Sequence, residues 1–217
     1  MKKKLIACAL LTSLALTGCT QSKKGSVSAS ASASTATGNN AGSINLDTSV
    51  PDLSAYVFLK DDNPAFLEIS TEESLKLFTN GTGIVFYSYE TCPWCNRVIP
   101  VLDEAAKEAG ITVFYVNIYS DDFMSKTDSE KSEIIQSLYT CLDPILTKEK
   151  DSETGEEKPV MQVPEVVAVK DGRIVGHHLG VVDGFTLDTN NLSEYQVTDD
   201  QVKELKNIYL ELFKEIQ

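Results

Sequence analysis

The sequence predicts an α/β domain: a central mixed sheet flanked by helices, with a helical insertion before one of the later strands. Three observations predict it. Apolar runs over residues 83–89 and 111–118 bracket a stretch, 96–109, with apolar residues at helical spacing, which is the pattern of a βαβ unit with parallel strands. Residues 166–169 and 173–179 are strand-like and are joined by Asp171-Gly172, a two-residue hairpin signal, so part of the sheet is antiparallel. An amphipathic stretch over 199–216 closes the chain.

Each element has its own local reason. Residues 64–69 read as a short strand. Ser70-Thr71-Glu72-Glu73 has the form of a capping box, and it opens a helix through Leu75, Leu77 and Phe78 that Asn80-Gly81 stops. The β-branched and aromatic run Gly83-Ile84-Val85-Phe86-Tyr87-Ser88-Tyr89 reads as a buried strand. Cys92-Pro93-Trp94-Cys95 stands where that strand ends and the next helix begins. The helix carries Val98, Ile99, Leu102, Ala105 and Ala106 and ends at Gly110. Residues 119–163 hold the insertion. A helix over 128–142 is expected there, with Ile134, Leu138, Cys141 and Ile145 on one stripe and Pro144 as its limit. Residues 148–158, charged and containing Gly155, read as a loop. The insertion has two possible positions, over the face of the cysteine pair or on a far edge. The last helix has Thr198 and Gln201 as a capping box and an apolar face of Val202, Leu205, Ile208, Tyr209, Leu212, Phe213 and Ile216.

The first residues are expected to be processed rather than folded. Lys2-Lys3-Lys4 precedes an apolar stretch, residues 5–16, that is too short to span a bilayer, as in an export signal. Leu16-Thr17-Gly18-Cys19 resembles a bacterial lipobox, which implies that Cys19 is lipidated and holds the protein at the outer face of a membrane; an ordinary signal peptide cleaved at Gly18 is the other reading. Residues 20–50 are rich in Ser, Ala and Thr and read as a flexible tether, of a kind that suits a Gram-positive surface lipoprotein. Residues 51–217 remain for a single domain. The formal net charge of −13 becomes more negative by three once Lys2, Lys3 and Lys4 are gone, which argues against nucleic acid and anionic lipid as partners.

The Cys92/Cys95 pair has three readings. At a helix N-terminus the unpaired N–H groups and the positive dipole end stabilise a thiolate, and a second thiol one turn on can close a disulfide, so the pair is a redox couple. Half of a zinc site is the second reading, but only Cys141, His177 and His178 are left to complete it. A structural staple is the third, and a loop this small makes a weak one. Of the five cysteines, Cys8 and Cys19 belong to the leader region. One pair and a leftover thiol, Cys141, remain for an oxidising compartment.

The element order, β-α-β-α-β followed by β-β-α, together with this motif resembles the thioredoxin family over residues 64–217. Pro100 lies five residues past Cys95, where the family has a helix-kinking proline. Val163-Pro164 precedes a strand as the family's cis-proline does, with Gly172 and Gly180 eight and sixteen residues on. The resemblance implies a thiol–disulfide oxidoreductase acting on protein or peptide thiols and disulfides, with an unidentified redox partner and neither cofactor nor metal. It implies Cys92 as the exposed nucleophile, Cys95 as the buried resolving thiol, and Trp94, Val163 and Pro164 as the substrate contact, with Pro164 cis and close to the sulfurs. Some small exported relatives of this type are described as bacteriocin-transport accessory proteins. The chain departs from the cytoplasmic reductases at two positions: Phe86 stands where they have a buried Asp, and Tyr115 where they have a facing Lys. Glu90 and Glu104 are candidate substitutes for the lost proton acceptor. Of the inner dipeptide Pro93-Trp94, Trp94 brings no positive charge to depress the Cys92 pKa, and Glu90 nearby raises it slightly, so an intermediate redox poise follows. Cys141 reads as a core thiol and His177-His178 as surface residues pointing to opposite faces of a strand. A non-catalytic binding or accessory lipoprotein on the same fold is the rival reading, and a peroxide-reducing enzyme a third.

Overall fold

The computed structural model describes residues 44–217; the leader, Cys19 and the tether up to residue 43 lie outside the described residues. In chain order the elements are β1 (Phe66–Glu68), α1 (Thr71–Asn80), β2 (Gly83–Ser88), α2 (Pro93–Ala109), β3 (Val113–Asn117), α3 (Asp121–Ser125), α4 (Asp128–Leu142), β4 (Thr147–Lys150), β5 (Glu157–Val160), β6 (Glu165–Lys170), β7 (Arg173–Leu179) and α5 (Asp199–Lys214).

The main sheet has the order β1-β3-β2-β6-β7. β1, β3 and β2 run parallel, while β6 and β7 are antiparallel to their neighbours. β2 is the central strand, and its six residues are all buried. Strand alternation sends its side chains to two separate cores. Ile84 and Phe86 join Val98, Leu102, Leu205 and Phe213 from α2 and α5. Val85 and Tyr87 join Leu77 of α1 with Leu138 and Leu142 of α4. Helices therefore cover both faces, and the fold is thioredoxin-like.

Local chemistry explains the boundaries. α2 starts at Cys92 as N-cap with Pro93 in the first turn, and it ends at Gly110 in the left-handed region (φ 66°). α5 opens with the reciprocal Thr198–Gln201 capping box. At Ser70 the box is one-sided. Ser70 accepts the Glu73 N–H, but the Glu73 carboxylate accepts the Asp47 N–H and pairs with Lys76 instead. The β6–β7 turn has both central residues at positive φ, Asp171 at 50° and Gly172 at 78°, as a type I′ hairpin requires.

Two expectations need correction. The packed chain begins before residue 51: Ile44 and Leu46 lie against the α1 side of the sheet, and Ser49 bridges Glu68. The charged stretch 148–158 is a hairpin, β4 with β5, rather than a loop. Its residues are largely exposed, so it has no buried face to write an apolar alternation into the sequence. Of the two positions open to the insertion, its helix takes the one away from the cysteine pair: α4 packs on α1, on the opposite face of the sheet from α2 and α5.

Candidate redox site

The site is built where β2 runs out. Past Ser88 the chain turns, Cys92 N–H donates to Tyr89 O (3.1 Å), and α2 begins. Cys92 and Cys95 are disulfide-bonded with Cα atoms 5.2 Å apart. Cys92 Sγ accepts the Cys95 N–H at 3.1 Å, so the N-cap acceptor of this helix is the sulfur itself. Asn96 Nδ2 donates to the carbonyls of Glu90 and Cys92 and ties the turn from behind.

Cys92 is not the exposed member of the pair. It is 1 % exposed and Cys95 is 0 %, while Trp94 between them is 42 % exposed. Being first in the helix does not expose Cys92, because its side chain folds along the helix to meet the Cys95 N–H and sulfur. Burial thus leaves the two thiols alike, and the N–H donation distinguishes them.

The Val163–Pro164 bond is cis. Pro164 is buried and Val163 half-buried. β6 starts at Glu165 opposite Tyr87, so Pro164 sits one residue beyond that pair, at the end of the sheet where β2 leads toward Cys92. Gly180 N–H donates to Pro164 O (2.9 Å).

Phe86 and Tyr115 are paired in register across β2 and β3 and share a core with both cysteines. In place of an ionisable pair the structure has hydroxyls: Tyr56 Oη lies 2.8 Å from Ser88 Oγ and 3.1 Å from Tyr115 Oη. Burial pushes the Tyr56 phenol up to about 12 and Tyr115 higher still, so both stay protonated. Neither proposed substitute acid reaches into this core. Glu104 is exposed beside Lys206, and Glu90 accepts from Asn117 Nδ2. Glu90 instead lines an open groove of about 430 Å³ with Glu68, Tyr89, Thr91, Tyr119 and Asp121. Burial, with the nearby Glu90 charge, raises the Glu68 carboxyl.

Two residues of this region carried no signal in the sequence. Glu165, directly after Pro164, is 5 % exposed, and its Oε1 lies 3.0 Å from His177 Nδ1. Burial pushes Glu165 up to about 8 and holds His177 below its usual value. Both effects favour neutral forms, so the contact is a hydrogen bond between a carboxylic acid and an imidazole rather than an ion pair. His177 is exposed, as expected, with its ring meeting Glu165, whereas His178 is half-buried with its ring edge-on to Tyr209. The second residue is Arg97, whose guanidinium is buried against α2's own first turn. Cys141 is half-buried and lines a separate groove with Phe78, Ile145 and His177, on the other side of the sheet from the cysteine pair. Among the described residues no group of His, Cys, Asp and Glu is arranged to hold a metal ion, and no helix is long and apolar enough to cross a membrane.

No protein-family model matches the chain, and no curated protein does. Among solved structures it is similar to thioredoxin from Aeropyrum pernix, with 22% sequence identity, a TM-score of 0.34, and coverage of 52% of this chain and 74% of that one. The thioredoxin-like fold and the bonded Cys92–Cys95 pair fit a thiol–disulfide oxidoreductase.

Proposed function

We propose that this protein is an exported, membrane-anchored thiol–disulfide oxidoreductase that acts on protein or peptide disulfides through Cys92 and Cys95. One observation carries the reading: the bonded pair caps α2, with the Cys95 N–H aimed at Cys92 Sγ. In the reduced protein that N–H and the helix terminus favour a thiolate at Cys92. The thiolate attacks a substrate disulfide and forms a mixed disulfide, and one substrate thiolate leaves. Cys95 then attacks Cys92 Sγ, the second substrate thiolate leaves, and the pair ends oxidised as the substrate is reduced by two electrons. Run backwards, the same steps oxidise a substrate dithiol.

Trp94 and the Val163–Pro164 segment are the proposed substrate contact. Since Cys92 is almost wholly covered, a substrate sulfur reaches it only after a local rearrangement. Anchoring rests on Leu16-Thr17-Gly18-Cys19 alone. The test has two arms. Thiol–disulfide exchange with glutathione, followed by thiol labelling, is expected for the wild type and not for a Cys92→Ser/Cys95→Ser double variant; equal exchange by both removes the enzymatic reading. Cys19→Ala is expected to leave the protein unprocessed or shed it into the medium, and processed variant protein that stays with the membrane removes the lipid anchor. The buried state of both cysteines favours one alternative, a non-catalytic docking module, and retained partner binding by the double variant would support it.

A further inference from the structure

Arg97 is the buried charge of this domain that the fold alone does not explain. It lies on α2 two residues past Cys95, and it is 1 % exposed. Nη1 donates to Pro93 O at 3.0 Å, Nη2 to Leu192 O at 2.9 Å and to Glu194 O, and Nε to Tyr195 O at 3.2 Å. The guanidinium carbon stands 4.8 Å from the Phe58 ring centroid. Among the described residues no carboxylate forms a salt bridge with it. Carbonyl dipoles and a ring face satisfy the donors of a guanidinium without cancelling its charge, so a full positive charge persists beside the first turn of α2, under a cover of loop atoms from residues 192–195.

Pro93 O is the acceptor that connects this charge to the chemistry. It belongs to the four-residue ring that the disulfide closes, between Cys92 and Trp94. We infer that Arg97 is a positioning residue that sets the redox poise of the pair: its charge, delivered into the ring through Pro93, stabilises the Cys92 thiolate and with it the reduced form. The inference deepens the oxidoreductase reading and rests on it. The opposing charge on the same turn is Glu90, whose carboxylate faces Asn117 and the open groove. The buried titratable groups of that core, Tyr56, Tyr115 and Tyr209, and Tyr195 packed on it beside Arg97, are phenols that burial keeps protonated. Asp103, on α2 itself, is bound to Ala65 N–H and Lys107.

The balance is simple. Disulfide plus two electrons and two protons gives the dithiol, and a depressed Cys92 pKa means that one of those protons is lost again at neutral pH. The reduced state is thereby favoured, and the couple becomes more oxidising. A neutral residue at position 97 moves the equilibrium toward the disulfide.

The chain reports on its own redox state, because its single tryptophan, Trp94, lies inside the motif. The experiment equilibrates the full-length protein, Arg97→Met and Arg97→Lys in glutathione buffers, reads Trp94 fluorescence, and measures the pH midpoint of Cys92 alkylation in each. Arg97→Met is expected to move the equilibrium constant with glutathione about tenfold toward the disulfide, which is about 30 mV for a two-electron couple, and to raise the alkylation midpoint. Arg97→Lys, which keeps the charge and loses the fork, is expected to stay close to the wild type in both. Equal changes for Met and Lys would mean that Arg97 acts only as a clamp on residues 192–195 and would overturn the inference. A folded Arg97→Met with unchanged constants would do the same. If Arg97→Met does not fold, the wild type still decides: a Cys92 midpoint at or above about 8.5, the value of a free thiol, overturns it. Absence of any exchange with glutathione would instead strike the oxidoreductase reading itself.

Discussion

Replacing Glu165 by Gln should make the protein more stable, and more so the higher the pH. The carboxyl is 5 % exposed and is pushed from its usual range up to about 8 by burial. Below about pH 4.5 the folded and unfolded chains both hold the proton, and the group costs nothing. Between 4.5 and 8 the unfolded chain ionises while the folded chain keeps its proton, so the folded state binds more protons and stability falls as pH rises. Each tenfold weakening of the acid on folding corresponds to about 1.4 kcal/mol. Over pH 5 to 8 the wild type should therefore lose about 3 kcal/mol that the Gln variant, isosteric and unable to ionise, does not lose. His177 is held below its usual value by burial, so it is already neutral over the upper part of this window and offers the ionising carboxylate little relief. The assay is urea unfolding of both proteins at intervals across that range, with the difference in unfolding free energy plotted against pH. The difference should rise with pH. Parallel curves would show that Glu165 ionises freely in the folded protein and that its environment has been misread.

Removing the bridge with Cys92→Ser and Cys95→Ser should cost about 2 kcal/mol or less, because a loop of so few residues constrains the unfolded chain little; denaturant unfolding under oxidising conditions checks it, and a much larger loss would make the bridge a structural staple. Gly172→Ala should destabilise by about 2 kcal/mol or more, since φ is 78° and the new Cβ would stand 2.6 Å from Thr79 O; a thermal melt superimposable on the wild type would contradict the type I′ turn. Leu142→Ala should cost about 2–5 kcal/mol as a buried truncation while leaving the glutathione equilibrium of Trp94 unchanged, because α4 lies across the sheet from the cysteine pair.

What could be read from the sequence was whatever repeats locally. The buried strand ahead of Cys92, the helix over 128–142 and the Asp171-Gly172 turn each carry their own signal of periodicity or dihedral preference, and each stands where it was expected. The facing positions of Phe86 and Tyr115 came from the resemblance to the thioredoxin family, and the two residues are paired in register. The β4–β5 hairpin left no trace, because strands exposed on both faces need no alternation. α3 is five residues long, too short for a helical period to show. Arg97 and Glu165 illustrate the deeper limit. A charged residue next to apolar ones reads as surface, and the carbonyls that bury Arg97 lie 95 to 98 positions away in the chain. Glu165 lines a small pocket with the ends of α4, β7 and the β4–β5 hairpin, segments that converge only in the fold. The burial of Cys92 belongs to the same class: its position in the helix was legible, and the direction of its side chain was not.

The most direct test of the central claim is to capture the covalent intermediate. In Cys95→Ala, Cys92 can attack a disulfide but nothing resolves the product, so mixed disulfides between Cys92 and protein or peptide clients should accumulate in cells and dissolve on reduction. None should form in the Cys92→Ser/Cys95→Ser variant. If Cys95→Ala traps nothing, while the double variant supports the cell as well as the wild type does, Cys92 and Cys95 do not carry out thiol exchange and the protein is a docking module on a thioredoxin-like fold.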